Sequence, residues 1–164
     1  MQNQQMIANK QVPVITAIAI TRKVSVDQIS PTAEACVPYL YQTAESINAK
    51  ITGACTFVYD GSLDEVNSQT YLTMALPVES GPTLGPIDGI SPEIHICEIP
   101  ECACVTLEHH GSMENICSTY QEISEQAQQC QMSLNQSHFR EIYHNWIDYS
   151  SPQNLTEIQI AVAK

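Results

Sequence analysis

Residues 138–163, HFREIYHNWIDYSSPQNLTEIQIAVA, decide the fold of this chain. The two ends of this stretch, 138–146 and 155–163, are rich in β-branched and aromatic residues, which predicts two strands. The polar segment between them predicts a turn. A similar pair of segments occurs earlier in the chain, ACTFVYD (54–60) and QTYLTMALPV (69–78), so the chain carries two such hairpins.

A constant offset of 84 residues (143 minus 59) relates the two hairpins and makes Tyr143 the counterpart of Tyr59. Further pairs at this offset are Ile15 and Ile99, Ala19 and Ala103, Asp64 and Asp148, Met74 and Ile158, Leu76 and Ile160, and Val78 and Val162. Because one offset relates strands, helix and hairpin in the same order, the two halves predict a tandem repeat. One acidic residue is not repeated, since Phe57 is the counterpart of Glu141.

In each half, a strand and an amphipathic helix precede the hairpin. Segments 12–26 and 93–110 are the predicted strands, and an interruption of the second is expected near Pro100. Apolar residues at three- and four-residue spacing predict a first helix over 31–50, capped by Ser30, and a second helix that opens at Gly111. The predicted fold class is therefore α+β, with tandem pseudo-symmetric β-α-β-β repeats forming an antiparallel sheet with two main helices.

The whole chain, 1–164, is predicted to be a single domain. Repeat one covers about 12–78, a connector rich in Gly and Pro covers 79–92, and repeat two covers about 93–164. Residues 1–11 are expected to form a loose polar tail. Each unit leaves one apolar sheet face to bury, so the two copies are expected to pack about a pseudo-two-fold axis and leave a groove between them.

The charge balance restricts the partners of the protein. The chain has 18 acidic and 6 basic residues, which gives a net charge of −12. This balance argues against direct nucleic-acid binding and against anionic membrane surfaces. It suits a cationic or neutral small ligand, although solubility alone also explains an acidic surface. The sequence has no apolar run that could span a bilayer and no apolar signal core, which predicts a cytoplasmic location.

The cysteines and histidines do not follow a known metal or catalytic pattern. Seven cysteines without a signal segment predict buried free thiols. The spacing of Cys97, Cys102 and Cys104 differs from the paired spacing of zinc sites, so no metal is expected. Cys104 and His109 are too far apart on one strand for a nucleophilic pair. The motifs for phosphate, dinucleotide or serine-hydrolase chemistry are missing, and no cofactor is expected.

Two segments carry a resemblance to a known family. EIPECACVTLEHHGSMENICSTYQEI (98–123) resembles the start of the second half of the GyrI-like small-molecule-binding domains, also called the AraC effector-binding domain family. REIYHNW (140–146), followed by NLTEIQIAV (154–162), resembles the closing signature of that family, Glu-x-Tyr with a downstream Thr-Glu-Ile. Ala161 and Ser112 stand where the family usually has proline, and these departures touch turns and edges more than the pocket.

The resemblance implies a groove between the repeats that accepts aromatic, often cationic, compounds. In the family, the glutamate and tyrosine of the closing signature line this groove, and they correspond to Glu141 and Tyr143. Family members occur as regulatory modules fused to DNA-binding domains, as stand-alone drug-binding proteins and, in one branch, as hydrolases of strained cyclopropane-bearing compounds. This chain has no room for a helix-turn-helix module and therefore resembles a stand-alone member.

Three further aromatic residues are candidates for the same ligand site. Tyr59 is expected to close the groove from the first repeat, and Tyr120 lies on the apolar stripe of the second helix, where core packing is the alternative. Trp146 has the opposite strand parity from Glu141 and reaches the site only if the turn rotates it. Glu157 is expected on an exposed edge and is left out of the site.

Three functions fit these residues. The first is a stand-alone protein that binds amphipathic aromatic, preferentially cationic, compounds, with Glu141 as counter-charge and Tyr143 as a wall. The second is a hydrolase in which Glu141 acts on water or substrate and Tyr143 donates a hydrogen bond. The third is an acidic regulator that binds a basic protein partner. In the purely structural alternative, Glu141 is a solvated strand residue beside core aromatic rings.

Overall fold

A computed structural model describes residues 5–61 and 68–164 and shows a nine-stranded antiparallel sheet with two α-helices, which confirms the predicted α+β class. The strands are β1 (Ala8–Val12), β2 (Ile15–Val24), β3 (Thr56–Asp60), β4 (Thr70–Pro77), β5 (Gly85–Pro86), β6 (His95–Ile99), β7 (Cys102–His110), β8 (Leu134–Asn145) and β9 (Leu155–Val162). The helices are α1 (Ile29–Ser46) and α2 (Ile116–Gln129), and a short 3-10 turn precedes each of them.

The sheet order is β1-β7-β9-β8-β3-β4-β2-β6-β5. The element order β2-α1-β3-β4 recurs as β7-α2-β8-β9, and the two sets of strands meet where β3 pairs with β8. In that pair, Phe57 lies directly opposite Glu141. Because these two residues are counterparts in the repeat, the pseudo-two-fold axis passes through this pair.

The first helix is shifted toward the N-terminus relative to the prediction. α1 begins at Ile29, so that the predicted cap Ser30 and the following Pro31 lie in its first turn, where proline is well tolerated. It ends at Ser46 because Asn48 takes a left-handed conformation with φ of 54°, which stops the helix. No helix among the described residues is long and apolar enough to cross a membrane.

Both helices cover one side of the sheet, here called the helix face. α1 packs on β2 and β4 and α2 packs on β7, so the central strands β3 and β8 lie between the two helices. Buried apolar side chains of the helix face form the main core, including Ile18, Ile20, Leu40, Leu72, Met74, Leu76, Val105, Leu107, Ile123, Ile158 and Ile160. The alternation of the central strands places Phe57, Tyr59, Phe139, Glu141 and Tyr143 on this same face.

The expected loose tail at residues 1–11 is wrong for its second part. β1 pairs with β7 along its full length and forms one end of the sheet. The ammonium group of Lys10 holds this strand through an ion pair of 2.9 Å with Glu157, which lies 147 positions away in the chain. Residues 1–4 and Asp64, the predicted counterpart of Asp148, lie outside the described residues.

The prediction of buried free thiols holds for only some of the cysteines. All seven are free, and Cys36, Cys55, Cys102 and Cys104 are buried. Cys117 and Cys130 are exposed instead. The side of α2 that faces the sheet carries Thr119, Ile123, Gln126 and Ala127, and these two cysteines fall outside it.

Candidate functional site

Glu141 is a buried carboxylate in the middle of the sheet. Its exposed fraction is 7%, although glutamate is almost always exposed in proteins unless it is paired. Two phenol groups donate hydrogen bonds to it: the Tyr120 hydroxyl to Oε1 at 2.6 Å and the Tyr143 hydroxyl to Oε2 at 2.5 Å. Glu141 and Tyr143 both lie on β8 and Tyr120 lies on α2, so the Tyr120 bond joins the second helix to the central strand.

Aromatic rings surround this carboxylate. Tyr59 stacks on Phe139 with 4.6 Å between ring centroids and an interplanar angle of 8°. The remaining contacts are edge-to-face: Phe57 with Tyr143 at 4.8 Å, Tyr120 with Phe139 at 5.7 Å and Tyr143 with Trp146 at 5.4 Å. We call the group of Phe57, Tyr59, Tyr120, Phe139, Glu141, Tyr143 and Trp146 the aromatic site. It presents ring surface and a single acidic group, a composition suited to a flat or bulky organic cation.

Glu141 has no ion-pair partner among the described residues. None of the ion pairs among the described residues involves it. Burial raises the pKa of the Glu141 carboxyl above its ordinary value, while the Tyr120 and Tyr143 hydroxyls oppose this shift by stabilising the charged form. Among the described residues, the Glu141 carboxylate thus makes no ion pair, although the nearby His109 ring also favours its ionised form.

The neighbouring tyrosines remain protonated donors. Burial raises the pKa values of Tyr59, Tyr120 and Tyr143 well above the ordinary value, and the nearby Glu141 carboxylate raises them further. A second negative charge beside Glu141 is thus strongly disfavoured. The hydroxyl groups act as hydrogen-bond donors and do not supply a base at neutral pH.

His109 is a buried residue beside the site, which the sequence suggested only as a possible metal ligand or as a partner of Cys104. It lies on the helix face of β7 and is 4% exposed. Its Nε2 lies 2.8 Å from the Ser112 carbonyl and its Nδ1 lies 2.7 Å from the Thr119 hydroxyl. The carbonyl can only accept, so Nε2 donates to it, while the Thr119 hydroxyl can either donate to Nδ1 or accept from it. With both nitrogens occupied, His109 joins β7 to the start of α2 rather than serving as a free base.

All five residues predicted for the ligand site come together in the structure. Trp146 is 47% exposed and reaches Tyr143 because β8 ends at Asn145, which frees the ring from strand parity. Tyr59 belongs to the other repeat and packs against Phe139, next to the pseudo-two-fold axis. The sequence did not indicate that Tyr120 would bond directly to the acid. Helical periodicity places Tyr120 on the buried side of α2 but does not give its partner.

The prediction that Glu157 lies on an exposed edge is wrong. β9 lies between β7 and β8, and Glu157 is 8% exposed on the face away from the helices. Four side chains donate to its carboxylate at 2.6 to 2.9 Å, namely Lys10, Thr106, His144 and Gln159. Burial alone would raise the pKa of Glu157, but these hydrogen bonds lower it to about 2. Glu141 and Glu157 are thus two buried acids whose pKa values are shifted in opposite directions.

The opening of the aromatic site lies on its Tyr120 and Tyr143 side. These two residues are half-buried, whereas Tyr59 is 2% exposed and forms the floor. Trp146, which contacts Tyr143, is exposed on this side, and Ile147 and Tyr149, which follow it in the chain, are exposed as well. A surface cavity of about 730 Å³ lies elsewhere, beside Lys50 and Glu79, and no residue of the aromatic site lines it. A bulky ligand at Glu141 therefore requires the half-buried rings to move apart.

The described part of the chain holds no group of three or more His, Cys, Asp or Glu side chains placed to bind a metal ion. The Cys102 thiol, one of the cysteines considered as metal ligands from the sequence, makes a weak hydrogen bond of 3.6 Å to the Ala103 carbonyl. The chemistry available at the aromatic site is thus that of one carboxyl group, three phenols and the faces of the rings.

Comparison with known proteins identifies the fold. No protein-family model and no curated protein matches the chain. The crystal structure of the EcmrR C-terminal domain covers 100% of this chain and 99% of its own length, with a TM-score of 0.77 and 19% identity. SAV2435 bound to tetraphenylphosphonium covers 97% of this chain and 94% of its own, with a TM-score of 0.61 and 15% identity.

Two further structures have a similar architecture. EcmrR in its DNA complex has a TM-score of 0.76 and 18% identity, and the present chain spans 57% of that longer protein. A hydrolase from Listeria innocua has a TM-score of 0.63 and 12% identity over 96% of this chain and 92% of its own. The chain has the fold of the GyrI-like effector-binding domains, which confirms the resemblance seen in the sequence.

Proposed function

We propose that the protein binds amphipathic aromatic compounds, preferentially cations, in the groove between α1 and α2. Glu141 supplies the counter-charge, and Tyr59, Tyr120 and Tyr143 supply ring faces and edges. Trp146 covers the opening. Such a site gains most of its affinity from ring area and charge and recognises little detail of shape, so a range of related cations is bound.

The observation that carries this proposal is the buried Glu141 carboxylate, which makes no ion pair with any described residue. A carboxylate removed from water loses several kcal/mol of solvation unless a cation and hydrogen bonds replace it. Two phenols supply hydrogen bonds to Glu141, but they bring no net charge. An organic cation completes this arrangement, since it balances the acid and stacks on the rings, each ring contributing about 0.5–2 kcal/mol. The SAV2435 structure contains tetraphenylphosphonium, which makes this cation a natural probe.

Charge selection gives a direct test of this proposal. Tetraphenylphosphonium and tetraphenylborate have nearly the same shape and opposite charges. We expect the phosphonium to bind and to change the fluorescence of Trp146, the single tryptophan of the chain, because this ring contacts Tyr143. We expect no saturable change with the borate at the same concentration. Equal binding of both ions would show that ring area alone drives association and would remove Glu141 from its assigned role.

The affinity for tetraphenylphosphonium is expected to fall in acid. The groups facing Glu141 are Tyr59, Tyr120, Tyr143 and His109, and burial raises the pKa of the Glu141 carboxyl itself. Below its raised pKa, a proton competes with the ligand, and affinity falls toward that of a variant with a neutral side chain at this position. The phosphonium does not titrate, so the pH dependence reports on the protein. Titrations from neutral pH downward measure it, and a flat profile above the ordinary pKa of glutamate would contradict a raised value.

A hydrolase is the second candidate, because a buried carboxyl with a raised pKa also suits general acid–base work. In that case Glu141 accepts a proton from water while Tyr143 donates a hydrogen bond to the substrate. Incubation with a strained cyclopropane-bearing compound, followed by chromatography, tests this candidate. Turnover that disappears in Glu141→Gln supports hydrolysis, whereas unchanged substrate together with phosphonium binding supports a binding protein without that activity.

A further inference from the structure

The sheet is strongly curled, and its second face is turned inward. β6 and β7 lie near opposite ends of the sheet, yet only Pro100 and Glu101 join them. So short a link brings the two ends of the sheet toward each other, as in a partly closed barrel. The face away from the helices, here called the inner face, is lined largely by small buried residues: Ala17, Ala19, Val58, Ala75, Cys102, Cys104 and Ala161.

Arg140 lies in the middle of this inner face. It is on β8, in register with Val58 of β3 and Gln159 of β9, and its exposed fraction is 1%. Its Nη2 donates to the Pro100 carbonyl at 2.7 Å. Its Nε and Nη1 have no hydrogen-bond partner among the described residues, and neither has Oε1 of the neighbouring Gln159. The largest side chain of the inner face is therefore a guanidinium whose donors are mostly unused.

Among the described residues, the positive charge of Arg140 has no acidic partner. No ion pair among the described residues includes it. Glu157 shares the inner face, but Lys10 and His144 already bind its carboxylate. Burial raises the pKa of the Cys104 thiol to about 11, so this neighbour stays neutral at physiological pH. Arginine does not deprotonate under these conditions, so the charge persists.

We propose that a small monovalent anion, of the size of chloride or formate, binds to Arg140 on the inner face. An anion balances the charge and accepts from the unused N–H groups, whereas a water molecule supplies only the hydrogen bonds. The ligand has to be small, because the curled sheet and the Pro100 segment enclose the guanidinium. This site lies on the opposite side of β8 from Glu141 and is independent of the function proposed for the aromatic site.

Thermal unfolding in matched salts tests the proposal. Sodium chloride and sodium gluconate at equal ionic strength differ in whether the anion fits the enclosed site. At ten times the dissociation constant, we expect chloride to raise Tm by about 3–6 °C relative to gluconate. Arg140→Met should abolish this difference, since an apolar side chain of similar volume tolerates the buried position. Arg22→Met is the matched control, because Arg22 is partly exposed and pairs with Glu93. A chloride effect of equal size in Arg140→Met would overturn the proposal.

A crystallographic experiment on the unmodified protein covers the case in which Arg140→Met fails to fold. Crystals grown in sodium bromide should show an anomalous peak in hydrogen-bond range of Arg140 Nε or Nη1. Density for water alone at both nitrogens, with bromide bound elsewhere on the molecule, would refute the anion site.

Discussion

Glu141→Gln is expected to weaken tetraphenylphosphonium binding by about 30-fold, or roughly 2 kcal/mol, at neutral pH. The substitution preserves the shape of the side chain and one acceptor oxygen for Tyr120 or Tyr143. It removes only the charge that the cation is proposed to balance. Because the folded protein disfavours the ionised acid at this position, stability should be unchanged or higher in the variant. Fluorescence titration of Trp146 and urea unfolding measure the two effects.

Glu98→Gln is the matched control for this experiment. Glu98 is an exposed glutamate on β6, so its substitution removes the same unit of net charge without touching the aromatic site. We expect its affinity for the phosphonium to stay within about twofold of the original, since an exposed charge at a distance is screened by salt. A similar loss of affinity in both variants would mean that overall acidity attracts the cation and that Glu141 has no special part.

Glu157→Gln is expected to have the largest effect on stability, lowering the free energy of unfolding by about 2–3 kcal/mol at neutral pH. The four donors that hold the pKa of this acid at about 2 lose a charged acceptor, and Lys10 is left without its ion pair. β1 should detach first, because this contact ties it to the rest of the sheet. Urea unfolding gives the free energy, and hydrogen exchange of the β1 amides shows the local effect.

The two buried acids are expected to change the pH dependence of stability in opposite directions. Glu157 has a folded pKa below its unfolded value, so its contribution is present above about pH 4.5 and is lost as pH falls toward 2. Glu141 has a raised folded pKa, so its ionised form opposes folding, and stability rises as pH falls from neutral through that pKa. Glu157→Gln should flatten the acid limb of the curve, and an unchanged acid limb would contradict the assigned pKa.

The fold could be predicted from sequence because each repeat carries its own local signals. Alternation in 138–146 and 155–163 and the helical spacing between the strands are local properties, and the common offset joins them into a pair. The position of β1 could not be predicted in this way. Its contacts to β7 and Glu157 involve residues far apart in the chain, and an isolated polar strand has no periodic signal of its own. The error for Glu157 has the same origin, since sequence order did not reveal that β7 and β1 lie beyond β9.

The sequence predicted which residues form the aromatic site but not the hydrogen bonds between them. Strand parity placed Phe139, Glu141 and Tyr143 on one face, and the repeat added Tyr59. The hydrogen bond from Tyr120 depends on how α2 lies across the sheet, which no local pattern encodes. Arg140 was missed altogether. A single arginine in a strand usually indicates exposure, and only the curl of the sheet buries it.

A crystal structure with bound tetraphenylphosphonium tests the central claim most directly. The proposed function predicts the ligand between α1 and α2, with its phosphorus facing the Glu141 carboxylate and within about 6 Å of at least two of the rings of Tyr59, Tyr120 and Tyr143. It also predicts that Trp146 moves away from Tyr143 to admit the ligand. Phosphonium bound only in the cavity beside Lys50 and Glu79, with the hydrogen bonds of Glu141 unchanged, would contradict the account.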